Sequence, residues 1–428
     1  MNAKLAEVES PGQRLSDRLT LKIIICYALA FVVFGFLVSS PGEILNGLVQ
    51  IITTRDALIT DYIGVGGMGA AFVNAGLLTC LACAIYRITQ ASISGASIAS
   101  LFLLLGFGLF GKNLLNVWPI VAGVWLYAKF RNEAFASHIN TAFFGCALAP
   151  VFSEILYSSA ISRRVSIPLA LFTALLIGFI LSPVAAQLFK AHAGFNLYNI
   201  GFTAGIIGTL VVALYKSYGF VPDPVMIWTS ENKGILTSFL TVFFLSMLIS
   251  GICLDRRSLS QLSTIVNLSG QAPTDFVTIV GLGATMVNMG LCGLLGLTYL
   301  LVIGADLNGP TIGGILTIVG FAAFGKHPLN IVPIMFGIFL GSLAKPGNST
   351  DPAVVLAALF GTSLAPIAGQ FGWLWGIVAG FLHSSAALTV GFNHAGLNLY
   401  NNGFAAGIVA AVMVPVIIAV KQHRSHDS

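Results

Sequence analysis

Two strings hold most of the side chains in this sequence that could do chemistry, and each occurs twice. Phe110-Gly-Lys-Asn-Leu-Leu-Asn116 returns as Phe324-Gly-Lys-His-Pro-Leu-Asn330. His192-Ala-Gly-Phe-Asn-Leu-Tyr-Asn199 returns as His394-Ala-Gly-Leu-Asn-Leu-Tyr-Asn401. In the first pair, Lys112 and Lys326 sit between apolar segments, where an ammonium is costly unless it snorkels, pairs or meets water. Asn116 and Asn330 lie three residues before Pro119 and Pro333, and a proline frees a carbonyl one turn earlier. Amides beside freed carbonyls would make a polar lining for a small solute. The bland alternative is an interfacial loop lysine followed by a helix-capping asparagine.

In the second pair, Asn196 and Asn199 are three apart and are expected to share a helix face, as are Asn398 and Asn401. Tyr198 and Tyr400 add a phenol to each copy. Amides and phenols donate and accept without charge, which suits a neutral polar solute or a stripped cation. His192 and His394 could relay protons. Taken singly, each of these residues reads better as a cap or an interfacial anchor. An eight-residue string kept twice marks the place as important. Glu154 lies in the otherwise apolar stretch 147–157, where an ionisable group is a functional candidate for proton coupling. Its counterpart is Gln370, and its bland role would be a pair with Arg163 or Arg164.

Other candidates are weaker. Cys80 and Cys83 form a CxxC, but no second Cys/His pair completes a ligand set, and all six cysteines lie in apolar segments. They read as small packing residues. His383 beside Ser384 and Ser385 suggests an interhelical hydrogen bond. Asn348-Ser-Thr-Asp351 before Pro352 reads as a turn and helix start. There is no phosphate loop, HExxH, GxSxG or metal set, so no cofactor or metal is expected and an ATP-driven pump on this chain is disfavoured.

The elements that hold these residues follow from composition. The chain has 428 residues, 57% hydrophobic and 8% charged, against about 25% charged in ordinary soluble domains. Runs such as Ile23–Val38, Gly234–Ile252 and Gly403–Val420 approach the roughly 20 residues that span a bilayer as helix. The net charge is +5, with Lys4, Arg14, Arg18 and Lys22 near one end and Lys421 and Arg424 near the other. Without a basic face, nucleic-acid binding is a poor reading, and both termini are expected in the cytoplasm of a plasma-membrane protein. Residues 1–21 read as a polar tail, not a cleaved secretory signal.

The chain divides into two repeats, 22–217 and 234–421, with a linker at 218–233 and a C-terminal tail at 422–428. Val73-Asn-Ala-Gly-Leu77 also returns as Val287-Asn-Met-Gly-Leu291, and Ala147-Leu-Ala-Pro150 as Ser363-Leu-Ala-Pro366. Each repeat breaks into seven apolar segments. The third and fourth are short, and short, Gly/Pro-broken segments at matching places in two halves point to a transport site. Equivalent loops carry opposite charge signals: Arg163 and Arg164 face no basic counterpart, and Arg256 and Arg257 face Gly42-Glu43. That favours an all-α transmembrane fold of inverted repeats, with about five full crossings each. The remaining segments would be re-entrant or half-helices, one from the Gly-Lys region and one from the region of the histidine string. Seven crossings per repeat is the alternative.

The FGKxxLN and HAGxNLYNxGF strings resemble those of a bacterial family of polytopic membrane proteins of unknown function, over nearly the whole chain. That resemblance implies fold and location only. Gly396-Leu-Asn-Leu-Tyr-Asn-Asn-Gly403 is also similar to the Gly/Tyr/Asn-rich string of urea transporters, which have inverted five-helix halves around a pore. The leading expectation is a permease for a small polar solute or ion, with its site where the repeats meet. The rival is a membrane enzyme acting on a lipid or isoprenoid, with His192 or His394 as base and Glu154 as partner. A receptor or scaffold would be expected to carry a soluble domain. Gly-rich faces would also allow a homo-oligomer.

Overall fold

The computed structural model describes residues 11–222 and 225–426, with side chains from 16 to 423. Lys4, Asp223 and Pro224, and the side chains of Arg14 and Arg424, lie outside the described residues. The first repeat holds α1 (Pro11–Val38), α2 (Pro41–Thr53), α3 (Tyr62–Gly66), α4 (Met68–Ile88) and α5 (Gly95–Phe107). It continues with α6 (Trp118–Phe130), α7 (Ile139–Gly145), α8 (Ala149–Leu156), α9 (Arg163–His192) and α10 (Asn199–Ser217). The second holds α11 (Lys233–Leu254), α12 (Ser258–Val266), α13 (Phe276–Ile303), α14 (Gly309–Phe321) and α15 (Pro328–Leu343). It ends with α16 (Pro352–Phe360), α17 (Ala365–Phe371), α18 (Trp373–Thr389) and α19 (Asn401–His426).

The two lists correspond element by element. Gly67, between α3 and α4, has φ +86°, and Gly281 breaks α13 at the matching point with φ +82°. Only glycine takes that backbone freely. Among the described residues, ten stretches are long and apolar enough to cross a membrane, five per repeat. The helices that flank the Gly-Lys strings are too short to do so: α5, α6 and α14 have 13 residues and α15 has 16. At 1.5 Å per residue, 13 residues reach only about 20 Å of a roughly 30 Å core.

Two expectations are corrected here. The helices on either side of each histidine string are among the ten long ones, so both short segments belong to the Gly-Lys string. Residues 11–21 are the first turns of α1 rather than a tail, because a proline is compatible with a first helical turn. The linker is strapped down: Thr60 pairs with Ile227, and the Thr229 hydroxyl donates to Asp61 Oδ2 at 2.5 Å.

The halves meet through equivalent elements. Tyr27, Phe31 and Phe34 of α1 pack edge-on or stacked against Phe239 and Phe243 of α11. α5 crosses α14 antiparallel, closely enough that a Cβ on Gly106 would lie 3.0 Å from Gly313 Cα. A side chain there would hold the backbones apart. α10 and α19 meet head to head, Gly201 against Gly403. His383 joins α18 to α19 through Asn402 Oδ1 at 3.1 Å, the interhelical bond expected from sequence. The cysteines are free thiols.

Candidate substrate site at the repeat interface

Each Gly-Lys string forms the tight turn after a short helix. Gly111 and Gly325 take positive φ, +75° and +142°. Asn74 of α4 reaches across and donates to Gly108 O at 2.7 Å and Lys112 O at 3.0 Å, while its own oxygen accepts Leu114 N. Asn288 of α13 does the same for Ala322 O and Lys326 O, both at 2.8 Å. Asn116 and Asn330 close the turn from the other side, each accepting a backbone N–H, from Asn113 and His327, and donating to Gly111 O and Gly325 O. Both amides hold backbone, and Asn116 Nδ2 also reaches Asp56 and Ser153, so replacing them would loosen the turn as well as alter polarity.

This scaffold aims each lysine into the opposite repeat. Lys112 Nζ donates to Tyr400 Oη at 2.6 Å. Lys326 Nζ donates to Tyr198 Oη at 2.5 Å and to Thr362 Oγ1 at 2.7 Å. Both ammoniums also lie over ring faces, Lys112 over Phe107 and Tyr400, and Lys326 over Phe321 and Tyr198. Each sits just past the C-terminal end of its own short helix, where a cation is favoured. Both are fully buried, and among the described residues neither has a carboxylate partner.

The histidine strings position the tyrosines. In each, the Ala-Gly after the histidine is left-handed, with φ +47° and +80° at Ala193 and Gly194 and +50° and +71° at Ala395 and Gly396. Asn196 and Asn199 therefore do not share a helix face, and neither do Asn398 and Asn401: the first of each lies in the turn and the second starts the helix. Asn196 Oδ1 accepts Tyr198 N, and its amide crosses to Gly403 O at 3.0 Å. Asn398 holds Tyr400 N and crosses to Gly201 O at 3.3 Å. Asn199 and Asn401 are braced by His192 and His394, each through Nε2 at 3.0 Å, and donate to Ala185 O and Ala387 O. His394 Nδ1 also accepts Asn398 N. His394 is thus a neutral imidazole with both nitrogens engaged, which suits bracing better than relay.

Between the repeats lies a cavity of about 190 Å³, lined by Phe107 and Phe321, Phe144 and Phe360, Tyr198 and Tyr400, and Gly201 and Gly403. These are equivalent positions of the two halves; Phe189, Asn196, Leu197, Asn199 and Phe324 line the cavity without their counterparts. Of the residues singled out from sequence, Asn196, Asn199, Tyr198 and Tyr400 line it. Lys112 and Lys326 stand directly behind Tyr400 and Tyr198. Asn116, Asn330, Asn398, His192 and His394 build the walls from outside. A second cavity, about 510 Å³, shares Phe360 and Asn402 with the first and opens beside Ile59, Phe392 and Asn401.

A family model described as a protein of unknown function, DUF1576, matches residues 40–217 and 254–419. The chain belongs to DUF1576. The two matched segments fall one in each repeat, and in this DUF1576 protein they contain every residue of the axial site. Comparison with curated proteins and with solved structures finds no match, and the likeness to urea transporters rests on one string.

Glu154 lies outside the axial cavity. Its carboxylate is 3.7 Å from the Arg55 guanidinium, not paired with Arg163 or Arg164 as the sequence suggested. Beside it is a residue that sequence reading missed: Asp56, buried in the loop after α2, accepting from Tyr62 Oη at 2.7 Å and Asn116 Nδ2 at 2.9 Å. Burial pushes the Asp56 carboxyl up to about 7. The folded protein therefore holds this proton between the ordinary carboxylate range and about pH 7, where the unfolded chain has lost it. Stability falls as pH rises through that window. Asp56→Asn is expected to melt with a smaller difference between pH 5 and pH 8 than the wild type. An unchanged difference would place the titration elsewhere. Asp61 and Asp275, also missed, were legible as the repeated Thr-Asp-aromatic of Thr60-Asp-Tyr62 and Thr274-Asp-Phe276. Each accepts the first N–H of the other repeat's short helix at 3.1 Å, Asp61 from Gly309 and Asp275 from Gly95.

Proposed function

We propose that this DUF1576 protein is a permease for a small polar solute or ion, moving it along the axis between two inverted repeats. The observation that carries the reading is the axial cavity, to which both halves contribute the equivalent Phe107 and Phe321, Phe144 and Phe360, and Tyr198 and Tyr400. A duplicated site suits a path crossed from either face, and both His192 and His394 brace an asparagine at the start of a helix.

The short helices support re-entrant hairpins. Tyr127 of α6 stacks edge-on to His138, and Asn140 accepts from Tyr86 near the end of α4. α6 thus returns toward the face where α4 ends and α5 begins. The antiparallel crossing of α5 and α14 supports inversion. Arg18, Arg87, Arg131, Arg256, Arg257 and Lys421 then gather at one face and Arg163 and Arg164 at the other; the excess at the first favours cytoplasmic termini by the positive-inside rule.

Reconstituted protein should let some small polar solute enter liposomes faster than empty vesicles do, measured by stopped-flow light scattering. Thr317→Phe, which projects a ring into the axial cavity, should cut that flux at least about tenfold with little change in melting temperature. Absence of protein-dependent flux across a broad panel of solutes would count against the permease.

A further inference from the structure

Resting on the permease reading, we infer that the axial site selects a small planar oxyanion, of the carboxylate or nitrate type, and rejects cations. The chemistry is directional. A tyrosine hydroxyl that accepts from an ammonium has its own proton left to give. Tyr400 accepts from Lys112 and Tyr198 from Lys326, so both hydroxyls are polarised as donors at the cavity wall. An ammonium has three N–H groups, and among the described residues one acceptor is engaged by Lys112 and two by Lys326.

The backbone adds the same sign. α10 and α19 begin at Asn199 and Asn401, and their N-termini converge on the axis from opposite directions, with Gly201 and Gly403 at the cavity surface. Helix N-termini carry partial positive charge and expose N–H groups. Two tyrosines, each backed by a buried lysine, and two helix N-termini border a space that no described carboxylate lines. A cation entering it would meet like charge in a low-dielectric surrounding. An anion would complete the unused donors. Phe107, Phe144, Phe321 and Phe360 give the cavity aromatic walls along which a flat ligand can lie, and a volume of about 190 Å³ holds only a few heavy atoms plus water. The stripped-cation option admitted by the sequence is therefore dropped.

The test uses full-length protein in liposomes and in detergent, with nitrate and acetate as anions, guanidinium and tetramethylammonium as cations, and urea as the neutral control. Nitrate and acetate should enter at least about tenfold faster than either cation, and both should raise the melting temperature. Tyr198→Phe with Tyr400→Phe keeps ring packing and removes only the hydroxyls; it should abolish both effects. Urea or a cation permeating as fast as nitrate, with the double variant unaffected, overturns the anion assignment and leaves the permease standing. Anion stabilisation that depends on the hydroxyls, without flux of any solute, keeps the anion site and removes the permease. Neither flux nor stabilisation by an anion overturns the inference.

Discussion

Replacing Asn74 and Asn288 together by leucine is expected to leave the protein unable to hold its fold. Leucine is close in size to asparagine, so the change removes hydrogen bonds more than volume. Asn74 satisfies Gly108 O, Lys112 O and Leu114 N, and Asn288 satisfies Ala322 O and Lys326 O. These backbone groups belong to tight turns buried among helices, where leucine offers them no substitute partner. Each buried, unsatisfied group costs about 1–3 kcal/mol. Together they approach the whole stability of a typical domain, about 5–15 kcal/mol. The variant should elute as aggregate on size exclusion, and each single variant should melt well below wild type. A monodisperse double variant melting like wild type would mean that the turns do not depend on these amides.

Lys112→Met and Lys326→Met should behave in the opposite way. Methionine matches much of the stem and carries no charge. A buried ammonium without a carboxylate partner is expensive to keep desolvated, and exchanging buried ions for apolar side chains of similar volume is often neutral or stabilising. The melting temperature should therefore hold or rise. Transport should fall by about a hundredfold or more, because the tyrosine hydroxyls lose the charge that polarises them. Gain of stability with loss of flux is the signature of a group retained for function. Loss of stability in both variants would show that the ammoniums serve chiefly to hold the short helices.

Much of this was legible in sequence because duplication made it so. Lys112, Tyr198 and their copies stood out by recurring with the same neighbours, and about five crossings per repeat followed from the parity that opposite loop charges require. The exchange of partners between repeats was hidden, since nothing local in the Gly-Lys string says that its lysine meets the tyrosine of the other half. The backbone partners of the asparagines were not legible. An amide beside Gly or His in a left-handed turn has backbone to satisfy first, as Asn196 with Tyr198 N and Asn199 with Ala185 O demonstrate. Asn74 and Asn288 were visible in the repeated Val-Asn-x-Gly-Leu string, yet a lone amide inside an apolar helix gives no hint of which turn it reaches. Asp56 had no second copy, because Gly270 occupies the equivalent place, so the search for repeats passed over it.

If the twin strings enclose an aqueous passage on the axis, a thiol placed in its wall must be reachable from water. The most direct measurement is the accessibility of Thr317→Cys, made in a background whose six native cysteines are replaced, in sealed proteoliposomes. A small anionic methanethiosulfonate added to the aqueous phase should modify this buried position faster than its cationic analogue does, and should block flux as it reacts. No modification of the Thr317→Cys variant, under conditions that label a Tyr218→Cys control at an exposed position, would mean that the cavity is sealed from water and that no such passage exists.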